Sequence, residues 1–220
     1  LSSPVRFSPR PRQRGVPGLK LGSRGVRPRG SGVAPDPGWG GFAVSGMEYP
    51  TFITAGTFSF LPEGLRAPEL IAVHEFSHNY FYGMLASNEF EEAWLDEGLN
   101  QYLETRIMDA VYGPGSSVMD IWGLHIGDQA FTRMGYAGMR NPRIAPTATF
   151  AWMMPRGSYG ALTYNKTAVF LSTLEGLIGL SAMDSVMKTY FRRWSFKHPS
   201  GMDFIAVVND VVPRIYGNRF

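Results

Sequence analysis

The chain has 220 residues, 44% of them hydrophobic, with 21 basic and 18 acidic side chains and no cysteine. Such a length can bury a core of domain size, while the lack of cysteine excludes a disulfide scaffold and any thiolate metal site. No apolar run approaches the roughly eighteen residues needed to span a bilayer, and no charged-then-apolar leader opens the sequence.

The net charge of +3 hides two unlike parts. Residues 1–40 hold seven Arg, one Lys and one Asp, together with seven Pro and eight Gly. With few large apolar side chains, that stretch is expected to be a disordered or extended tail. The remainder carries 13 basic and 17 acidic side chains, so a basic-patch case for nucleic acid would rest on the tail alone. Having only Phe7 and Trp39 as aromatics, the tail lacks the interleaving such a partner needs, and no nucleic acid is expected. Its Arg/Gly/Pro/Ser bias also resembles translation of a GC-rich frame other than the coding one. Leu1 is not a start residue, so the natural start is expected upstream and the compartment is left open.

From Gly41 the pattern changes, and residues 41–220 read as the foldable domain. Residues 42–44, 51–54 and 57–60 are β-branched and aromatic runs bounded by Gly and Pro, which predicts short strands. Leu70, Val73, Ser77, Tyr80, Phe81 and Met84 then recur at three- and four-residue spacing, predicting a buried helix over about 69–83. Pro68 suits its first turn and Gly83 its end. A second helix is predicted over 93–112, stopped by Gly113-Pro114. The Gly- and Pro-rich stretch 113–160 predicts a long loop with one short helix around 118–131. A third long helix is expected over 164–177, ending near Gly179. Ser181 with Asp184 opens a fourth, to about Trp194, and Asp203 caps a fifth that ends before Pro213. Strands first and helices afterwards is an α+β order, short strands followed by a mostly helical bundle.

The chemistry lies in the first two long helices. His74-Glu75-Phe76-Ser77-His78 puts two imidazoles four apart, on one helix face. Neutral imidazole is a favoured zinc ligand, and Glu75 sits where it can reach a water on the metal without ligating it. H-E-x-x-H on a helix is therefore the pattern of a metallopeptidase with the Glu as general base. The flanks are apolar, and two His and a Glu in a buried helix need partners, because uncompensated polar burial costs several kcal/mol. After eighteen intervening residues comes Glu97, near the start of the second helix. It can complete a His/His/Glu set, with the fourth position open as a catalytic zinc site requires. Glu104, two turns on, is either an acceptor for the free ring N–H of a ligating His or a solvated helix carboxylate. His125 reads as structural, and His198, in a loop, as exposed.

H-E-x-x-H, eighteen residues, then Glu97 inside Trp94-Leu95-Asp96-Glu97-Gly98-Leu99 resembles the gluzincin metallopeptidases. Within them it is most similar to the aminopeptidase N family, which includes the leukotriene hydrolases. Upstream, Gly46-Met47-Glu48-Tyr49-Pro50 resembles that family's G-x-M-E-N exopeptidase signature, in its M-E-Y-P form. Downstream, Tyr164-Asn165-Lys166-Thr167-Ala168 resembles its Y-x-K-G-A segment. The resemblance covers about residues 41 to 215.

It implies a thermolysin-like zincin catalytic domain and a hydrolase of peptides. His74, His78 and Glu97 would hold one zinc ion. Glu75 would take a proton from the attacking water and hand it to the leaving amine. Tyr164 would donate to the oxyanion, with Tyr159 as its nearest rival. Glu48 would pair with the substrate's free α-ammonium, and Gly46 and Met47 would line up with its main chain. The implied partners are thus peptides with a free N-terminus. Departures from the family pattern are Tyr49 and Asp96, each where Asn is frequent, and Thr167, where Gly is frequent. Family members also carry an N-terminal β-domain and a C-terminal helical domain that have no counterpart here, which implies weak turnover by this chain alone. The alternatives are a thermolysin-like endopeptidase, which uses a downstream His at the oxyanion, and an interaction module that retains the zinc site. Glycyl-aminopeptidase relatives share the zinc spacing but not the Met47-Glu48-Tyr49-Pro50 stretch.

Overall fold

A computed structural model describes residues 46–56 and 60–217. The tail over 1–40, the strand expected at 42–44 and most of that at 57–60 lie outside the described residues. The described elements begin with β1 (Met47–Tyr49), β2 (Phe52–Thr54), α1 (Ala67–Ser77) and α2 (Glu89–Ala93). A π-helical turn over Trp94–Gly98 leads into α3 (Leu99–Tyr112), followed by β3 (Met119–Ile121), β4 (Leu124–Ile126) and α4 (Asp128–Ala137). A second π-helical turn, Ala161–Lys166, runs into α5 (Thr167–Ile178), and α6 (Leu180–Trp194) and α7 (Gly201–Tyr216) finish the chain. The fold is α+β: two antiparallel hairpins set against a mostly helical body. No described helix is long and apolar enough to cross a membrane.

The core forms where the apolar stripes of the later helices meet. Leu99 and Tyr102 of α3, Leu171 of α5, Val186 and Tyr190 of α6, and Phe204 of α7 are almost wholly buried. Each such side chain contributes about 1.5–3 kcal/mol by leaving water. Because α3 packs on α1 at one side and on α5 at the other, it carries the core's rigidity to the histidine helix. The β1–β2 hairpin, with Glu48 opposite Ile53, packs on α1. Its alternation leaves Met47 and Tyr49 exposed and Glu48 half-buried, so Glu48 faces the helix.

Several elements differ from their sequence expectation, each for a local reason. The histidine helix ends at Ser77 instead of reaching 83, because the Asn79 side chain takes the Phe76 carbonyl at 2.6 Å and the chain continues in turns. Tyr80, expected on the buried face, is exposed, as is Phe76. The short helix expected around 118–131 starts only at Asp128, as α4, and a hairpin stands before it. Trp122 and Gly123 both take positive φ, the two-residue turn that joins strands of natural twist, and β3 and β4 result. Helix α6 starts without the Ser181–Asp184 box, since Asp184 is drawn to Arg106 of α3 at 2.7 Å. In α7 the N-cap is Ser200, and Asp203 closes a capping box from the third position. Pro213 does not end α7: the helix runs on to Tyr216, whose hydroxyl donates to the Ile178 carbonyl at 2.5 Å and ties the last turn to α5.

The two π-helical turns pack against each other. Gly98 makes the approach feasible, because a Cβ there would overlap Thr167 and the Thr163 carbonyl. Each turn carries one residue singled out from the sequence, Glu97 on the first and Tyr164 on the second. Single π-helical turns recur at functional sites, where the extra residue re-aims a side chain.

Candidate active site

His74 and His78 stand one turn apart on α1 and just beyond its end, their rings edge to face at 4.9 Å. Glu97 reaches both from the π-helical turn: its Oε2 lies 3.1 Å from His74 Nε2 and 3.2 Å from His78 Nε2. The three ligand atoms lie within 4.8 Å of one another, close enough to share one ion. The far ring nitrogens are also held. His74 Nδ1 lies 2.7 Å from Glu104 Oε2, and the other Glu104 oxygen accepts from Gln101 at 2.6 Å. Asn100 donates to the His74 carbonyl at 2.8 Å, fixing the backbone of the first imidazole from α3. Glu104 is thus a buried acceptor and not a solvated carboxylate.

His78 Nδ1 has two oxygens in reach, the Phe81 carbonyl at 3.3 Å and Asp96 Oδ1 at 2.7 Å. The carbonyl has hydrogen-bond alignment, whereas Asp96 Oδ1 is closer as a charge contact without it. Asp96 is almost wholly buried. Sequence reasoning noted it only as a departure from Asn. The available signal was its place beside Glu97 in an apolar segment, where a buried carboxylate needs a partner.

The electrostatics follow from this crowding. Burial pulls both imidazoles down, but the carboxylates more than offset it: Glu104 and Glu97 raise His74 to about 10, and Asp96 and Glu97 raise His78 to about 11. Burial opposes ionisation of Glu97, yet hydrogen bonds from the two imidazoles hold it well below the usual carboxylate range. Burial pushes Asp96 up to about 7, against the pull of His78. Glu75 is likewise raised to about 7, chiefly by burial, with Glu48 and Glu97 adding to the effect and the imidazoles opposing it. A cation between the three inner ligand atoms would replace the protons this carboxylate-rich cluster now holds. The donor set of two imidazoles and a carboxylate is one that zinc accepts.

The remaining residues gather around this centre. The Tyr164 ring stacks on His74 at 5.6 Å, nearly parallel at 16°. Burial and the neighbouring Glu97 push its phenol pKa well up, so it stays a hydrogen-bond donor. Tyr159 meets Tyr164 edge-on at 6.2 Å, so both tyrosines border the site. Gly46 lies against the Glu75 side chain so closely that a Cβ there would overlap the carboxylate. Glu48, Glu75 and His78 offer ligand atoms within 4.8 Å of one another. They open on a cleft of about 420 Å³, bordered also by Tyr82 and His198. Met47 sits beside Glu48 on β1 with its side chain exposed. His125 stands apart, exposed on the second hairpin and paired with Asp120 at 3.0 Å. His198 is exposed, with Nδ1 against the Ala86 carbonyl at 2.9 Å; its place at the cleft rim is something its loop sequence did not indicate.

Comparison with known proteins gives the family. Residues 40–215 match the Peptidase family M1 domain. Leucine aminopeptidase 2 of Neosartorya fischeri is 30% identical over 171 residues, covering 77% of this chain and 27% of that protein. Human aminopeptidase B is 27% identical over 189 residues, covering 81% of this chain and 27% of that protein. The structure of native yeast LTA4 hydrolase superposes with a TM-score of 0.57 at 21% identity, over 79% of this chain and 27% of that one, a likeness of fold. The chain thus spans about 27% of the length of these relatives. With the family match over most of its residues, the chain belongs to peptidase family M1.

Proposed function

We propose that this chain is the zinc-binding catalytic part of an aminopeptidase that removes residues from peptides with a free N-terminus. Residues 41–220 form the catalytic unit in this reading, and residues 1–40 lie outside it. His74, His78 and Glu97 hold one zinc ion, with Glu104 and Asp96 orienting the two imidazoles. When bound, zinc supplies a Lewis acid that acidifies water and polarises a carbonyl. Glu75 accepts the proton of the attacking water and returns it to the leaving amine. A pKa near 7 suits both halves of that transfer. Tyr164, kept protonated, donates to the developing oxyanion. Gly46 and Met47 present an extended backbone to the substrate main chain.

The observation that carries the exopeptidase reading is the position of Glu48. Its carboxylate faces Glu75 across a cleft with no Lys or Arg among its described lining residues. A peptide ammonium would neutralise it and set the first peptide bond beside the base. An endopeptidase gains nothing from an anion there, since internal substrate segments bring no charge. The names leucine aminopeptidase 2 and aminopeptidase B among the relatives support the same reading.

The test compares aminoacyl chromogenic substrates with their N-acetylated forms, with and without zinc. Turnover by this chain is expected to be weak, confined to free amines, and lowered about 10²–10⁴-fold by Glu75→Gln. Glu48→Ala should abolish it while leaving zinc bound. Activity that survives Glu48→Ala, or equal cleavage of acetylated substrates, contradicts the aminopeptidase reading and favours an endopeptidase.

A further inference from the structure

Asp128 opens α4 yet is wholly buried, where an acidic side chain in a first helical turn ordinarily faces water. Its backbone is fixed from both sides. Gly127 lies so close to the Pro114 carbonyl that a Cβ there would overlap it. The Asp128 N–H donates to Ser117 Oγ at 2.8 Å, and that hydroxyl donates to Asp109 at 2.5 Å. The two carboxyl oxygens differ: Oδ2 accepts from Thr105 Oγ1 at 2.7 Å, whereas no N–H or O–H donor among the described residues reaches Oδ1. What the carboxyl meets instead is a second carboxyl group, the Glu104 side chain of α3, within hydrogen-bonding reach.

Two buried carboxylates in contact cannot both ionise, and one proton between them turns repulsion into a charge-assisted hydrogen bond. That proton belongs on Asp128. Glu104 already accepts from His74 Nδ1 at 2.7 Å and from Gln101 at 2.6 Å, which favours its ionised form, and it keeps lone pairs for a third donor. Asp109 of α3 adds a further negative charge that favours the proton on Asp128. On the other segments packed against α4, Lys166 gives its Nζ to the Ala145 carbonyl, Tyr164 stacks on His74 and Glu175 accepts from Tyr102, so these groups are engaged elsewhere.

We propose that Asp128 is a positioning residue for the metal centre: its Oδ1–H donates to Glu104 and holds that carboxylate against His74 Nδ1. With Glu104 held, His74 keeps a proton on Nδ1 and turns Nε2 toward Glu97 and the metal. An ionised Asp128 would instead repel Glu104 from behind the ring. Helix α4 thus acts on the metal centre through two successive hydrogen bonds without touching it. The role rests on the reading of His74, His78 and Glu97 as the zinc site.

Zinc affinity of the full chain, measured by competition with a chelator, tests it together with carboxyl-carbon NMR. Asp128→Asn can accept from Thr105 through its carbonyl and donate to Glu104 through its amide, so its zinc affinity should match that of the unaltered chain. Asp128→Leu fills the space without a donor and should weaken zinc about tenfold, the lower end of what partners of a ligating imidazole are worth. Thr105→Val removes a hydrogen bond at the same buried spot but not the donor to Glu104, and should weaken zinc less than Asp128→Leu does. In the zinc-loaded chain the His74 Nδ1–H resonance should stay in place in Asp128→Asn and move in Asp128→Leu. The NMR titration of the zinc-free chain does not depend on how well Asp128→Leu folds. One aspartate carboxyl carbon should titrate near pH 8, vanish in Asp128→Asn and shift its midpoint downward in Glu104→Gln. A carboxyl that ionises in the ordinary range, a midpoint unmoved by Glu104→Gln, or equal weakening of zinc by Thr105→Val and Asp128→Leu overturns the role while leaving the zinc site standing. Absence of tight zinc from the unaltered chain overturns the zinc site itself, and with it the function from which this role starts.

Discussion

At Gly46 the site leaves no room for a side chain. Any Cβ there would overlap the Glu75 carboxylate, so Gly46→Ala should push the base away from the cleft without touching a zinc ligand. Zinc affinity should stay unchanged, while turnover of aminoacyl substrates falls at least about tenfold, since general-base contributions are that large or larger. Unchanged turnover would show that Glu75 is not held where the geometry places it. Asp96 makes a second residue-scale case. Its charge lies against one edge of the His78 ring while Glu97 lies against the other. Residues that orient a metal-binding imidazole are commonly worth about 10–100-fold in affinity, and Asp96→Ala should weaken zinc by that amount, with Asp96→Asn closer to the unaltered chain. Equal affinity in all three would leave the orientation to the Phe81 carbonyl. His74, His78, Glu97 and Glu104 were legible in the sequence because helix spacing alone puts each pair on one face. Asp96 was not, because two consecutive helix residues ordinarily point about 100° apart, and only an imidazole with a nitrogen at each edge brings both to one ring.

The elements decide how these residues meet. Helix-period apolar runs and the Gly113-Pro114 stop foretold the long helices well, since burial follows periodicity. The π-helical turns under Glu97 and Tyr164 were not legible. They arise where Gly98 allows two segments to approach, a tertiary fact with no sequence period. The β3–β4 hairpin was missed for a related reason: Trp122-Gly123 is an unusual turn pair, and the apolar residues around it suit either period. Helix α4 adds a test of its own at its first residue. Asp128 is completely buried, accepts from Thr105 at 2.7 Å and has its pKa raised to about 8, mainly by burial and then by the Glu104 charge. Its folded state therefore keeps a proton that the unfolded chain releases near pH 4. The stabilisation is full below that value and lost as pH rises toward about 8. Asp128→Asn, which stays neutral, should remove this part of the decline. Urea unfolding of both zinc-free forms between pH 4 and 8 measures it; parallel curves would mean that Asp128 is ionised in the native state.

On the scale of the whole molecule, a hairpin and two π-helical turns bring several carboxylates around two imidazoles. The α+β class could be read from early strands and later helices, though not the hairpin that follows α3, and the metal set from spacing. How strongly the cluster holds protons could not be read, because it depends on Asp96 and Glu104 closing over the rings from behind. That closure yields the most direct test. With His74 raised to about 10 and His78 to about 11, both imidazoles are cationic in the zinc-free chain near neutral pH. A ligating imidazole must be neutral, so binding zinc has to expel both protons. Calorimetry of zinc binding at pH 7.5, repeated in buffers of different ionisation enthalpy, should report release of about two protons per tight equivalent. Release of only a small fraction of a proton would contradict the protonated imidazoles, and no tight zinc at all, or tight zinc that survives His78→Ala, would contradict the assignment of His74, His78 and Glu97 as the metal site.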